Sequence, residues 1–321
     1  MGKYYYLLAG LPHLPFEGFK PPFTLTGFRE QLAEHLTKAD ARLLENLTLK
    51  TENKNLLEQL RNPDFEQTEG GKITAGEINT LVAGIQTETE SIKAREAYYK
   101  IEYEDYYDKV YNKVPKPKLK PFKNHNKRLP VYFEPFVRIY LKSVENEEKV
   151  IIPWEDRLSA LYFEFVMKCS NSFLASWFEL NLNINNIYTA LTCRKYKLDR
   201  ANYIVGNTEI SNKLRISDAR DFDLGESLDC YQTVARIAED TDWLQRELKT
   251  DQLRWEWLDE QTFPQVFDIE NVISYWIKIE MLEHWSGLDN AAGDKAFREI
   301  VGVMKKGSDH VLEEFKRNNK K

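Results

Sequence analysis

Glycine is scarce in this chain, with 14 among 321 residues, about 4% where ~7% is usual. That shortage disfavours a turn-rich β fold and favours helices. Cysteine is rarer still. Three cysteines, an odd number with no close pair, exclude a disulfide framework and fit a reducing compartment. No run approaches the ~18 apolar residues a membrane-crossing helix needs, so any association with a membrane has to be peripheral. The opening MGKYYYLLAGLPHL has a cation and a short apolar run. That run is rich in tyrosine and leads into proline rather than a small-x-small cleavage site, so secretion is not expected.

Catalytic motifs are missing too. The histidines, His13, His35, His125, His284 and His310, are scattered. None sits in an HExxH pair and no CxxC exists, so no sequence-local metal site is expected. Glu69-Gly70-Gly71-Lys72 has the start of a phosphate loop. It lacks the upstream glycine, and Ile73 stands where Ser or Thr would hold Mg²⁺, so an ordinary loop is expected. Neither GxSxG nor GxGxxG occurs. The sequence therefore assigns no catalytic residue and no cofactor, although distant residues can converge on a site.

What is present is a folded, helical composition: 42% hydrophobic, 30% charged, net charge −6. It is neither disordered nor membrane-spanning, and it suffices for one large domain or two to three small ones. Phe28, Leu32, His35 and Leu36 share a helical face. A second run, Leu43, Leu44, Leu47 and Thr51, follows Asp40 as its candidate cap. From Ile85 to Val110 the stripe Ile85, Ile92, Tyr99, Tyr103, Tyr106, Val110 predicts a long amphipathic helix. Phe133 to Leu141 fits a strand or a short helix. Pro153-Trp154-Glu155-Asp156 reads as a helix start. Asp218, Asp221, Asp223 and Gly225 mark a turn, and helical spacing resumes from Trp243 to Leu258. A capped central helix is predicted from Asp268 to about Gly287.

The clearest boundary is YNKVPKPKLKPFKNHNKRLP. Pro115, Pro117, Pro121 and Pro130 forbid a continuous helix and favour an extended connector. From Lys109 to Arg128 it holds eight cations and no acid, with Tyr111 and Phe122 between them. A solvated linker, a contact with acidic protein or anionic lipid, and a nucleic-acid contact all suit that composition. The acidic whole and the lack of a nucleic-acid motif place the last of these lowest.

Trp177 to Leu198 reads two ways. Leu180, Leu182 and Ile184 alternate with asparagines as in a strand, while Trp177, Leu180, Ile184, Ile187, Tyr188 and Leu191 step as in a helix. Its length exceeds the roughly five or six residues of a usual strand, so helix is expected. Asn181 and Asn185, one turn apart, are placed to bond neighbouring helices and fix register. Cys193 beside Arg194 and Lys195 is either a cation-stabilised thiolate or a packed cysteine near a helix end, and the lack of a nearby histidine favours packing. The pair Asp218/Asp221 suits turn bonding better than acid–base work. A weak internal echo joins Asn55-Leu56-Leu57, Asn186-Ile187-Tyr188 and Asn271-Val272-Ile273, each followed by an apolar residue and a cation.

These segments carry a resemblance. LNINNIYTALTCRKYKL is similar to the asparagine-then-basic helix of the C-type stalk subunit in V/A-type ATP synthases, the counterpart of the d-type subunit of eukaryotic V-ATPases. Asn186, Ile187 and Leu191 match the pattern, Thr192 stands where arginine is usual, and Arg194 follows. Asn55 to Arg61 keeps the arginine in place, and Ile273 to Glu280 is similar to the family's tyrosine helix. YYYLLAGLP, PWEDRLSALYFEF, FLASWFELNLNINNIYTAL, RKYKLDRANYIVGNTEI and DQLRWEWLDEQTF resemble, over most of the chain, a bacterial family encoded beside V-type ATPase genes.

The resemblance implies an all-α, funnel-shaped protein of three similar helical units: 1–114, then a connector at 115–130, 131–225, and 226–321. It implies a non-catalytic central-stalk adaptor, joining the rotor shaft to the membrane proteolipid ring in proton or sodium transport. Such an adaptor is cytoplasmic, held at the inner face of the membrane through the complex. Arg61, Arg194, Lys195, Arg215 and Arg220 are the candidate partner-facing cations, with plain helix-surface cations as the alternative. The competing functional reading is a helical scaffold or nucleic-acid-binding protein that uses the basic connector 109–128.

Overall fold

The computed structural model describes residues 3–16, 20–68, 70–99, 118–147, 152–225, 228–264 and 267–288. Among the described residues the regular structure is helical throughout, with no strand. The all-α class that the resemblance implies, and that low glycine favours, is the class observed. The chain divides into two compact units, one of residues 1–42 with 239–321, the other of residues 43–238. All three cuts drawn from the sequence fall inside the second unit.

In the first unit lie α1 (Tyr5–Ala9), α2 (Leu25–His35), and two long helices whose numbers follow below, Trp243–Thr262 and Ile269–Leu288. The last is apolar on nearly all faces and is central, as such a helix must be. Val272, Ile273, Trp276, Ile277, Ile279 and Leu282 are all buried. Phe28 of α2 inserts its fully buried ring against Tyr275 and Trp276, centroids 5.2 and 6.4 Å away. The indole N–H of Trp285 donates to Asp251 at 3.0 Å, so the polar edge of a buried ring finds its partner on the neighbouring helix.

Helix α3 (Lys38–Arg61) begins earlier than the sequence suggested. Thr37 caps it: its hydroxyl accepts the Asp40 N–H at 3.2 Å and its carbonyl accepts that of Ala41 at 2.9 Å. Asp40, read from the sequence as the cap, sits one turn in, where its carboxylate accepts from Thr37, Lys3 and Tyr4.

The second unit continues with α4 (Ala75–Tyr99), α5 (Phe133–Glu145), α6 (Trp154–Val166), α7 (Ser172–Tyr196), α8 (Glu209–Ile216) and α9 (Tyr231–Ala238); the two long helices of the first unit are α10 (Trp243–Thr262) and α11 (Ile269–Leu288). Phe133 to Leu141 is thus helical. The long stripe expected to Val110 is helix as far as Tyr99, and residues 100–110 lie outside the described ones.

Helix α7 is the heart of this unit. It starts where Asn171 accepts the Leu174 N–H at 2.9 Å. It ends where Lys197 turns into the left-handed region (φ 55°) and Leu198 N–H closes on the Cys193 carbonyl at 2.9 Å, a Schellman closure. Leu180, Leu182, Ile184 and Ile187 are all buried. Before its last turn the exposed positions, Ser172, Ser176, Glu179, Asn185 and Thr192, leave so narrow a polar face that the buried apolar residues satisfy the strand period and the helix period together. That explains the double reading. Around α7 the aromatic residues interlock: Tyr162 meets Phe178 edge-on at 5.6 Å, and Tyr132 reaches Phe165 at 5.4 Å.

Candidate functional site

Two asparagines organise the second unit, and both belong to the internal echo. Asn186 of α7 is buried. Its amide donates to the Val205 carbonyl at 2.8 Å and to Ser211 Oγ at 3.1 Å, while its oxygen accepts the Val205 N–H at 2.9 Å. Asn55 of α3 is also buried and accepts the Thr68 N–H at 3.0 Å. Each asparagine staples the loop that follows its helix.

The parallel extends further. Each loop turns through a glycine with positive φ, Gly70 at 90° and Gly206 at 79°, a region open to glycine at little cost. Each loop then ends on a threonine that caps the next helix. Thr74 accepts from Glu77 N–H at 3.3 Å before α4, and Thr208 accepts from Ser211 N–H at 3.1 Å before α8. Asn181 and Asn185 do not hold register between helices as expected. Asn181 donates to Trp177 O within α7 at 2.7 Å, and Asn185 is exposed. In a helix the position that faced the loop was Asn186, one residue on.

The candidate cations fall into two kinds. Arg61 on α3 pairs with Glu155 at 2.6 Å and Glu58 at 3.2 Å, both exposed contacts worth at most about 1 kcal/mol each. Arg194 turns its two terminal nitrogens onto the carbonyls of Ala219 and Arg220, each at 2.6 Å. Its guanidinium lies 3.7 Å from the centroid of the buried Phe222 ring. Arg215 donates to the carbonyls of Ile204 and Gly206 and to Asn212. Burial pulls its pKa below the ordinary arginine value. Arg194, Lys195 and Arg220 are all exposed, and of these Arg194 is the one held by loop carbonyls. The structure brings Arg194 to the Arg220 backbone; Arg61 lies on a different helix.

The remaining sequence candidates resolve plainly. Cys193 is buried, and burial pushes its thiol pKa up, which favours the neutral, packed form over a thiolate. Asp221 accepts the Asp223 and Gly225 N–H groups at 3.1 and 3.3 Å, and Asp218 pairs with Arg200 at 2.7 Å. Asp221 bonds its own turn, and Asp218 is taken up by the ion pair with Arg200.

A cleft of about 580 Å³ opens between α6 and the loop before α8, lined by Asp156, Arg157, Leu161, Met167, Tyr203 and Arg215 among others. Burial, and after it the charge of Glu155, raise the Asp156 pKa above the ordinary carboxyl value. The lining mixes apolar side chains with charges of both signs.

The basic connector supplies the feature that sequence reasoning missed. Residues 118–128 lie along one stripe of α4. Lys120 N–H donates to Ser91 Oγ at 3.1 Å, the Phe122 ring sits at Gly84, and Asn126 donates to Glu77 at 2.8 Å. Glu77, Gly84 and Ser91 stand seven residues apart, so the stripe from first to last spans roughly 21 Å of helix. The six steps from Lys120 to Asn126 reach roughly 20 Å only when the chain is extended. A Cβ on Gly84 would overlap the Phe122 ring. The glycine is therefore the seat for that ring. A glycine inside a helical pattern was the signal available in the sequence.

A family model described as "Protein of unknown function (DUF2764)" matches residues 1–114 and 116–308. The chain belongs to the DUF2764 family. No curated protein and no solved structure matches it. The matched span of this DUF2764 protein includes both asparagine staples and the described strap.

Proposed function

We propose that this protein is a non-catalytic helical adaptor of a rotary V/A-type ATPase, joining the rotor shaft to the membrane proteolipid ring. The observation that carries the reading is the repeated unit of helix, buried asparagine, glycine turn, threonine cap and helix at Asn55 and Asn186. Repetition of a helical unit is what the resemblance to the C-type stalk subunit leads one to expect. The choice of this motor rests on the sequence segments that carry that resemblance.

An adaptor that carries torque has to resist twisting and has to grip its partners. Stiffness follows from loops tied to helices by buried polar side chains, and from aromatic rings that each bury on the order of 150–250 Å². Grip needs polar groups on exposed faces, and Lys195 and Arg220 offer two exposed cations beside a loop locked by Arg194. In this reading the protein works at the cytoplasmic face of the membrane and meets the bilayer only through its complex. Among the described residues no helix is long and apolar enough to cross a membrane.

Affinity purification of the tagged chain from native membranes tests the proposal. Shaft and ring subunits are expected to elute with it in constant ratio. Recovery of the chain alone, beside a motor that purifies complete without it, would end the proposal.

A further inference from the structure

The strap on α4 has a second property, independent of the motor reading. Phe122, Asn124 and Asn126 are partly buried, whereas Lys123, His125 and Lys127 between them are exposed. This is the alternation of an extended chain with one face down. The exposed row repeats every ~6.6 Å, two residues at a time. From residue 118 to 128 the strap carries Lys118, Lys120, Lys123, Lys127 and Arg128 and no acid, a local reversal in a chain of net charge −6. Only Arg128 of these makes an ion pair among the described residues, with Glu77 at 3.4 Å. The helix residues flanking the stripe beside Lys123, Thr80, Ala83 and Thr87, are exposed and uncharged, and the nearby carboxylates of Glu77 and Glu88 are engaged by Arg128 and Arg138.

The backbone of the strap is open as well. Among the described residues no hydrogen bond engages the N–H or C=O groups from Phe122 to His125. An extended chain with unpaired backbone groups is a template for strand addition, in which main-chain bonds give affinity and side chains give register. An incoming extended peptide presents its own same-side residues at the same ~6.6 Å repeat. We propose that residues 118–128 form a docking edge for an extended, acidic protein segment whose alternate Asp or Glu side chains meet Lys123 and Lys127.

Two other polyanions fit less well. Single-stranded nucleic acid is held by exposed aromatic platforms, and the Phe122 ring is committed to its seat at Gly84. Anionic bilayers are gripped by apolar side chains together with charge, and of the strap's large apolar residues only Leu119 is exposed, at 43%.

Titration of the full-length protein with three probes decides. The probes are a short peptide alternating glutamate with valine, a thymidine oligonucleotide, and phosphatidylcholine vesicles containing phosphatidylserine. The alternating peptide is expected to bind best, and better than a peptide of equal composition with its glutamates grouped at one end. Lys123→Gln with Lys127→Gln should weaken it about tenfold, while Lys→Arg at both positions retains binding. Hydrogen exchange at residues 122–125 should slow when the alternating peptide is bound, a sign of main-chain pairing that charge attraction alone does not give. Tighter binding of oligonucleotide or vesicles, equal binding of the grouped peptide, unchanged exchange, or no binding of any probe would each overturn the assignment.

Discussion

The loop after α3 and the loop after α7 both run against the interior of one unit, and each is tied down by an asparagine of the preceding helix. Their remaining partners are opposite in sign. In the first loop Glu52, buried on α3, accepts the backbone N–H groups of Lys72 and Ile73. In the second, Arg215 of α8 donates to the carbonyls of Ile204 and Gly206. One loop has its donors satisfied by an acid, the other its acceptors by a base. Buried backbone groups need partners whatever their sign, so one motif can be completed by residues that no simple sequence comparison would align.

The asparagines themselves differ in how much they hold. Asn186 makes three hydrogen bonds to the loop and to Ser211, whereas Asn55 makes one with its oxygen and, among the described residues, its amide nitrogen has no partner. Asn186→Ala is therefore expected to cost about 3 kcal/mol, because it also strands the Val205 backbone groups. Asn55→Ala should cost about 1 kcal/mol. Urea unfolding of both variants checks the ordering, and equal losses would break the distinction drawn between the two staples.

A smaller effect separates the caps by pH. Glu77 closes the first cap, accepting the Thr74 N–H at 2.9 Å, while the neutral Ser211 takes the equivalent place in the second. That backbone bond, followed by the one from Asn126, holds the Glu77 pKa below its usual 4.5. The ionised form is the one bonded in the fold. Its contribution to stability is therefore present above about pH 4.5 and is lost as pH falls through the lowered folded value. Amides at the start of α4 should lose protection in acid while those at the start of α8 keep theirs, and Glu77→Gln should remove the difference. Hydrogen exchange across that range reads it directly. Parallel loss at both helix starts would contradict the assignment.

Much of this architecture was legible in the chain. Low glycine and helical spacing favour helices, in agreement with the all-α class the resemblance implies, and apolar residues on nearly all faces of α11 point to its central place. Cys193 packs and Asp221 bonds its turn, as the sequence leads one to expect, whereas Asp218 pairs with Arg200. Other features depend on contacts that spacing does not encode. Asn181 and Asn185 were chosen over Asn186 because one-turn spacing identifies a shared face but not the face that meets the loop. Thr37 was overlooked as a cap because Asp40 stood nearer the apolar run. Arg194 and Arg215 are candidates for partner-facing or plain surface cations in the sequence, yet their guanidiniums hold loop carbonyls from residues many positions away. The strap on α4 was read as a linker, since proline and lysine set its composition while Gly84, distant in sequence, gives it a seat.

In the proposed role this helical body couples two parts of a motor. The direct measurement is ATP-driven ion transport in membrane vesicles from cells lacking the chain, set against ATP hydrolysis by the same preparation. Hydrolysis that persists while transport is lost, with transport restored by adding back the protein, is the predicted result. Transport at the normal rate in its absence would contradict it.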